Sequence, residues 1–358
     1  MHEEELLNRI AVTWHNRTRQ RQLRTLLDSF DSVTEALARH PELANREALQ
    51  HAKQELNFIE KHNITTYFYR DDNYPYRLAQ CVDAPLMLYA KGNLQVNPKH
   101  AVSIVGTRQP SERGKDWCRR LVLDLAAQIP ALTIISGLAY GIDVIAHKAA
   151  IEAGIPTIII PAHGLDRIYP AAHRNVAIQS LTQGGILTEY TCGTEPERHN
   201  FVARNRIVAG MADAVVVVES KKKGGSLITA NMAIDYGRDV FALPGRYDDI
   251  CSAGCNSLIK TNQAQLIEDA DDLINAMQWQ PANKEKPVQT TLLELCHDLT
   301  PTQMQLVQLL RETEDGLHIN QIVMETQLAY HTISSELIML ELQDIVKSMP
   351  GGIWRIKK

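Results

Sequence analysis

Six short apolar runs between residues 101 and 244 constrain this chain more than any other feature. They are AVSIVG (101–106), LTIIS (132–136), PTIIIP (156–161), GILTE (185–189), AVVVVE (214–219) and VFALP (240–244). Each is unbroken rather than alternating, is rich in β-branched residues, and is separated from the next by a stretch with helical spacing. A strand buried on both faces needs apolar side chains at every position, and parallel strands joined by crossover helices are buried in that way. The pattern predicts a doubly wound α/β domain built on a parallel sheet.

The flanks read differently. Before this region, Leu6, Leu7 and Ile10, then Leu23, Leu26, Leu27 and Phe30, then Leu49, Leu56 and Ile59 recur every three or four residues. That spacing predicts a small helical bundle over 1–66. Residues 67–99 are aromatic and proline-punctuated and read as a connector with one short strand, LMLYA. The α/β pattern closes near Met277, and 278–299 is polar, proline-bearing and aperiodic, as a linker is. From 300 to 358, three helical patterns precede two short apolar runs around a Pro-Gly-Gly turn, the order of a winged helix. The expected division is therefore 1–66 helical, 67–277 connector plus α/β domain, 278–299 linker, and 300–358 winged helix.

The composition, 44% hydrophobic and 22% charged, suits a soluble globular chain, and the acidic start MHEEELLNRI lacks the basic head of an export signal. A cytoplasmic location is expected. The six cysteines form one C-x3-C pair, Cys251 and Cys255, with no second pair at metal-ligand spacing, so reduced thiols and no metal are expected. With 37 Lys+Arg against 42 Asp+Glu, the net charge of −5 argues against a uniformly basic, nucleic-acid-coating surface. Any phosphate binding must come from local clusters of donors.

Such clusters stand at the ends of the apolar runs. After the first run, Gly106, Arg108 and Ser111 form either a plain strand-to-helix turn or an anion cradle at a helix N-terminus. The second run leads into a loop bounded by Gly137 and Gly141, at the strand edge where open α/β sheets bind ligands. Asp143 reads there as a helix cap and His147 as a packed histidine. The densest cluster is RHNFVARNR, which puts Arg198, Arg204 and Arg206 with Phe201 and Asn205 within nine residues. Guanidiniums beside an aromatic ring suit single-stranded nucleic acid, whose bases expose a face for stacking. Gly224, Gly225 and Ser226 open the next helix behind Lys221 to Lys223 as a further anion cradle. Neither a G-x-G-x-x-G nor a G-x4-G-K-[ST] element is present, which argues against a dinucleotide cofactor and a Walker-type NTPase.

Taken in order, VGTRxxSxxG (from Val105), SGLAYGID (from Ser136), GLDxxYP (from Gly164), ExxxGTxP (from Glu189), NFxxRNRIVAG (from Asn200), GGSLITAxxAxxYGR (from Gly224), VFALPG and SAGCNxLI (from Ser252) resemble the DprA/Smf family, DNA processing protein A. YPxRL (from Tyr74) and DAPLMLYAKG (from Asp83) extend the resemblance into the connector. It implies an α/β fold of the extended Rossmann type without NTPase activity that binds single-stranded DNA, dimerises through that domain, and loads the recombinase RecA in natural transformation; no cofactor and no catalytic residue are expected. By motif position it makes Arg108, Arg198 and Phe201 the phosphate and base contacts, with Asn205, Arg206 and the Gly224–Ser226 turn lining the same pocket. Many members carry Ser where this chain has Gly224. The N-terminal helices lack a clear Gly-x-Gly hairpin and are assigned no DNA-binding role.

The winged helix points elsewhere. Its third helical stretch carries Glu336 and Glu341 with no Lys or Arg, and residues 300–358 hold five basic against seven acidic side chains. A helix entering the major groove brings basic and amide groups, so this one is expected to contact protein. The alternative to a binding protein is an enzyme of the LOG-type phosphoribohydrolase class. That chemistry needs a glutamate after the glycine pair, where this chain reads SLITANMAID, so Glu189 and Glu219 at the strand ends are the residues it would have to use. Dimer contacts are expected around Leu258, Ile259, Leu266 and Ile267.

Overall fold

The computed structural model describes residues 2–281, 299–311, 313, 316–343, 345–349 and 352–356. Most of the expected linker, with Cys296, and Pro350 and Gly351 of the expected turn lie outside the described residues. The chain divides into two compact units, Met1–Ala282 and Asn283–Lys358.

The first unit opens with helices α1 (His2–His15), α2 (Gln20–Leu27), α3 (Val33–Arg39) and α4 (Arg46–His62). Polar residues set their ends. Ser32 and Asn45 accept the amides of Glu35 and Ala48 as N-caps, and Asn63 stops α4 in the left-handed conformation at φ 50°. Strands β1 (Thr65–Phe68) and β2 (Met87–Gly92) follow, with the single turn α5 (Tyr76–Ala79) between them. The α/β succession is then β3 (His100–Val105), α6 (Glu112–Gln128), β4 (Leu132–Ser136), α7 (Ile142–Glu152), β5 (Thr157–Ile159), α8 (Arg174–Gln183) and β6 (Gly185–Thr188). It continues through α9 (Arg198–Gly210), β7 (Ala214–Val217), α10 (Gly225–Asp235), β8 (Asp239–Ala242), α11 (Ala253–Lys260), β9 (Gln265–Leu266) and α12 (Ala270–Ala276).

These strands form one sheet in the order β1-β2-β6-β5-β4-β3-β7-β8-β9. From β6 to β9 every pairing is parallel, whereas β1 on β2 and β2 on β6 are antiparallel. The connector is thus more than the single strand expected of it, since its two strands widen the sheet. Burial explains why. Met87 and Tyr89 enter the core of the N-terminal helices while Leu88 and Ala90 enter the core on the other face, so β2 is covered on both sides. Arg77 of the YPxRL stretch is 3% exposed and pairs with Asp213, with Nε at 2.6 Å from Oδ1, tying the connector to the start of β7.

Helices α6, α7 and α12 pack on one face of the sheet through Leu121, Leu125, Ala146 and Leu273; α9, α10 and α11 pack on the other through Ile207, Val208, Ala230 and Leu258. The chain changes direction at β3, which pairs with β4 on one side and β7 on the other. A crevice opens outside the carboxyl ends of the strands at such a reversal.

The second unit contains α13 (Pro301–Arg311), β10 (Leu317–His318), α14 (Ile319–Thr326), α15 (Tyr330–Leu342), β11 (Val346–Met349) and β12 (Ile353–Ile356). β11 and β12 form the wing hairpin, and β10, which the helix-helix-helix-hairpin reading omits, pairs with β12. Leu306, Leu310, Ile322, Ile333, Leu337 and Leu340 give this unit a core of its own. No helix among the described residues is long and apolar enough to cross a membrane.

Candidate nucleic-acid interface

The loops that leave β3 and β5 meet the start of α9 at the carboxyl edge of the sheet, the loops after β4 and β7 pack against the β3 loop, and together they divide the expected contact residues into an outward and an inward set. Arg108, in the loop after β3, is exposed, and its guanidinium carbon stands 5.5 Å from the centroid of the Phe201 ring. Phe201 is half-buried in the first turn of α9, one turn after the exposed Arg198. Tyr169 meets the same ring edge-on at 6.0 Å between centroids and is 48% exposed. A cation and two aromatic rings therefore share one solvent-facing patch, the combination that grips a phosphate and stacks a base. Tyr140, 50% exposed and edge-on to His173 at 4.8 Å, is a further ring of the loop after β4. Neither tyrosine is among the residues picked from the sequence. The signal for both lay in the stretches GLAYGID and GLDxxYP, where the glycines draw attention away from the rings.

Arg204 and Arg206 turn inward. Arg204 is 3% exposed, donates through Nη1 to the Ile160 carbonyl, and lies so close to Gly137 that a Cβ there would overlap its guanidinium. Gly137 is thus required for the approach of a side chain, not of a ligand. Burial lowers the pKa of Arg204, and the neighbouring charge of Asp143 opposes that shift. Asp143, itself pushed up by burial, accepts the Ala139 amide at 3.3 Å and closes the loop after β4; the N-cap of α7 is Gly141. Arg206 pairs with Glu189, Nη2 to Oε2 at 2.5 Å, with both side chains largely buried. Asn205 is half-buried between these two arginines.

Ser111 and the first turn of α6 are likewise occupied. Ser111 caps the helix by accepting the Gly114 amide at 3.0 Å, its hydroxyl donates to Glu219 Oε1, and its own amide donates to Glu219 Oε2 at 2.9 Å. A Cβ on Gly114 would come within 2.5 Å of the Glu219 carboxyl carbon. The carboxylate at the end of β7 thus fills the anion position at this helix N-terminus. Gly106 backs onto Ile142 beneath the same loop. At α10, Gly224 is the N-cap, Gly225 is exposed, and the Ser226 hydroxyl is buried and donates to Ser220 Oγ at 2.9 Å. Lys221, Lys222 and Lys223 are exposed just before this turn.

The two carboxylates that glycosidic chemistry would need are therefore engaged, Glu219 by Ser111 and Glu189 by Arg206. His147 is fully buried. The Thr157 hydroxyl donates to the Ile134 carbonyl and accepts the proton on His147 Nδ1 at 2.7 Å, and burial depresses the imidazole pKa to about 3. It is a packed neutral histidine, unsuited to act as a base.

A family model described as DNA recombination-mediator protein A matches residues 65–278, and a DprA winged helix domain model matches residues 297–352. The chain belongs to the DNA recombination-mediator protein A family. Protein Smf of Synechocystis is 36% identical over 312 residues, 78% of this chain and 77% of that protein. DNA processing protein DprA of Streptococcus pneumoniae is 40% identical over 204 residues, 57% of this chain and 71% of that protein. The X-ray structure of the Streptococcus pneumoniae DprA superposes with a TM-score of 0.58 at 36% identity, covering 64% of this chain and 82% of that one. The Helicobacter pylori DNA processing protein A, described for its single-stranded DNA binding mode, superposes with a TM-score of 0.54 at 33% identity, covering 60% of this chain and 95% of that one.

Proposed function

We propose that this chain is a non-enzymatic, single-stranded-DNA-binding recombination mediator that protects incoming single strands and loads RecA in natural transformation. The observation that carries the reading is the exposed Arg108 over the Phe201 ring beside Tyr169, with the exposed Arg198 three residues before Phe201, outside a sheet edge where Glu189 and Glu219 are already engaged. The described binding of single strands by the Helicobacter pylori relative supports it. Arg108 and Arg198 hold backbone phosphates, and Phe201 and Tyr169 stack bases. The Gly224–Gly225 turn with Lys221 to Lys223 continues the path. Arg204, Arg206, Ser111 and Ser226 hold the shape of the loops rather than the strand.

The domain division 1–66, 67–277, 278–299 and 300–358 belongs to the same proposal, as does a homodimer formed through the Rossmann domain. Of the residues expected at that dimer contact, Leu258 and Ile267 are core, Ile259 is partly buried, and Leu266 is 42% exposed on the edge strand β9, which makes Leu266 the residue to test.

Fluorescence anisotropy with a labelled single-stranded oligonucleotide and a duplex of equal length, in a salt series, tests the reading. The expected result is salt-sensitive preference for the single strand; equal or absent binding of both rejects it. The phosphoribohydrolase alternative predicts release of base from a nucleoside monophosphate by the unsubstituted chain.

A further inference from the structure

Among the described residues, the N-terminal helices hydrogen-bond to the connector through Asp28, Arg9 and Gln20, and beyond the connector to one segment of the Rossmann domain, the stretch from Tyr190 to Asn200 that leads into α9. Arg17 donates through Nη2 to Asn200 Oδ1 at 2.8 Å, and its guanidinium carbon lies 4.3 Å from the centroid of the Tyr190 ring. His51 of α4 lies 3.0 Å from Thr191 Oγ1, and Trp14 stacks on that imidazole at 4.5 Å between centroids. Glu55 of α4, 2% exposed, accepts the Cys192 amide at 2.9 Å.

Asn200 is where these contacts reach the candidate interface. It is 2% exposed, its amide group donates to the Glu195 carbonyl at 2.9 Å, and its own carbonyl accepts the Tyr190 hydroxyl at 3.1 Å. Phe201 is the next residue, and Arg198 lies two residues before Asn200. The side that delivers Arg17 is rigid, because the N-terminal helices share one core with β1 and β2 through Phe68, Leu86, Met87 and Tyr89. A helix start gripped by a side chain that is anchored in a close-packed core has its direction fixed by that core.

We propose that the N-terminal helical module buttresses the strand-binding helix α9, and that Arg17 is a positioning residue for the Phe201 ring acting through Asn200. This rests on the single-strand reading above. Arg17 touches no nucleotide in this scheme; it holds the turn that does. A guanidinium suits the position because one nitrogen donates to the amide oxygen while its carbon stands over the tyrosine ring, whereas an ammonium must serve both partners from a single nitrogen.

The test is anisotropy with the full-length Arg17→Met, Arg17→Lys and Arg108→Ala variants beside the unsubstituted chain, using a fluorescent oligothymidylate across a potassium chloride series. A positioning residue lowers affinity and leaves the salt dependence unchanged, because no phosphate contact is lost; a contact residue shrinks the log–log slope by about 0.7. Arg17→Met is expected to weaken binding by up to about tenfold, the scale of one hydrogen bond with one cation–π contact. Its slope should match that of the unsubstituted chain, with Arg17→Lys between the two in affinity. Unchanged affinity in a folded Arg17→Met, or a slope reduced as in Arg108→Ala, overturns the proposal. If Arg17→Met does not fold, His51→Ala removes a different contact to the same segment and should show a smaller loss with an unchanged slope; undiminished affinity there overturns it equally. Failure of the unsubstituted chain to bind is a separate result, because it rejects the single-strand reading itself.

Discussion

Which way an arginine points decides what it does in this protein. Arg108 and Arg198 are exposed, Arg204 and Arg206 are held inside, and only the exposed pair can meet a phosphate. Replacing Arg108 by Ala should weaken binding uniformly across oligonucleotide sequences and lower the salt slope by about 0.7. Replacing Phe201 by Ala should cost about 1–3 kcal/mol of stacking and leave the slope where it was. A titration in salt separates the two. His147 carries a prediction for pH. Its folded-state pKa near 3 lies below the ordinary value of about 6.5, so the unfolded chain takes up the proton first as pH falls. Its contribution is complete above about pH 6.5 and is lost progressively toward pH 3. His147→Leu leaves the Thr157 hydroxyl bonded to the Ile134 carbonyl and should flatten the decline of denaturant midpoints between pH 7 and 4. A decline as steep as that of the parent would show that the loss arises elsewhere.

Among the elements, α15 is the one whose surface departs most from its usual part in the architecture. It occupies the position of a groove-reading helix, yet it exposes Tyr330, Ile338, Met339 and Leu342 and has no Lys or Arg. Apolar side chains at these positions favour contact with protein over a phosphate-lined groove. Because this unit has its own core, a fragment of residues 290–358 should fold and should fail to shift duplex DNA in a gel. Tight duplex binding would return the helix to a DNA-reading role. Helix α9 shows the opposite case of a legible element with an illegible phase. Its arginines, aromatic and amide stand out in the sequence. Their division into outward and inward groups depends on which stripe of the helix lies against the sheet, and Ile207 and Val208 fix that stripe through contacts with distant residues.

At the scale of the whole molecule, binding by a few phosphate donors on a chain of net charge −5 should be steeply salt-dependent; about four contacts per protomer give a log–log slope near −3. If two protomers join through the β9 edge, Leu266→Asp should leave a monomer by light scattering, and a persistent dimer would place the contact elsewhere. The α/β architecture was legible from the chain because a strand buried on both faces writes its burial into every residue, and all six unbroken runs are strands of one sheet. β9 and β10, two residues each, were not legible, since so short a strand has no pattern of its own and exists only where a neighbour supplies the ladder. The same holds for the candidate interface. Residue types and spacing were enough to single out Arg108, Arg198, Phe201 and the glycine turns. Only the tertiary structure decided that Ser111 would be taken by Glu219, 108 residues away, and that Arg17 would reach Asn200 across 183. Local sequence carries the period of an element and the chemistry of its side chains. Partners far apart in the chain become neighbours only through the reversal of strand order at β3 and the packing of the N-terminal helices on β2, and neither pairing is written in either partner's own stretch of sequence.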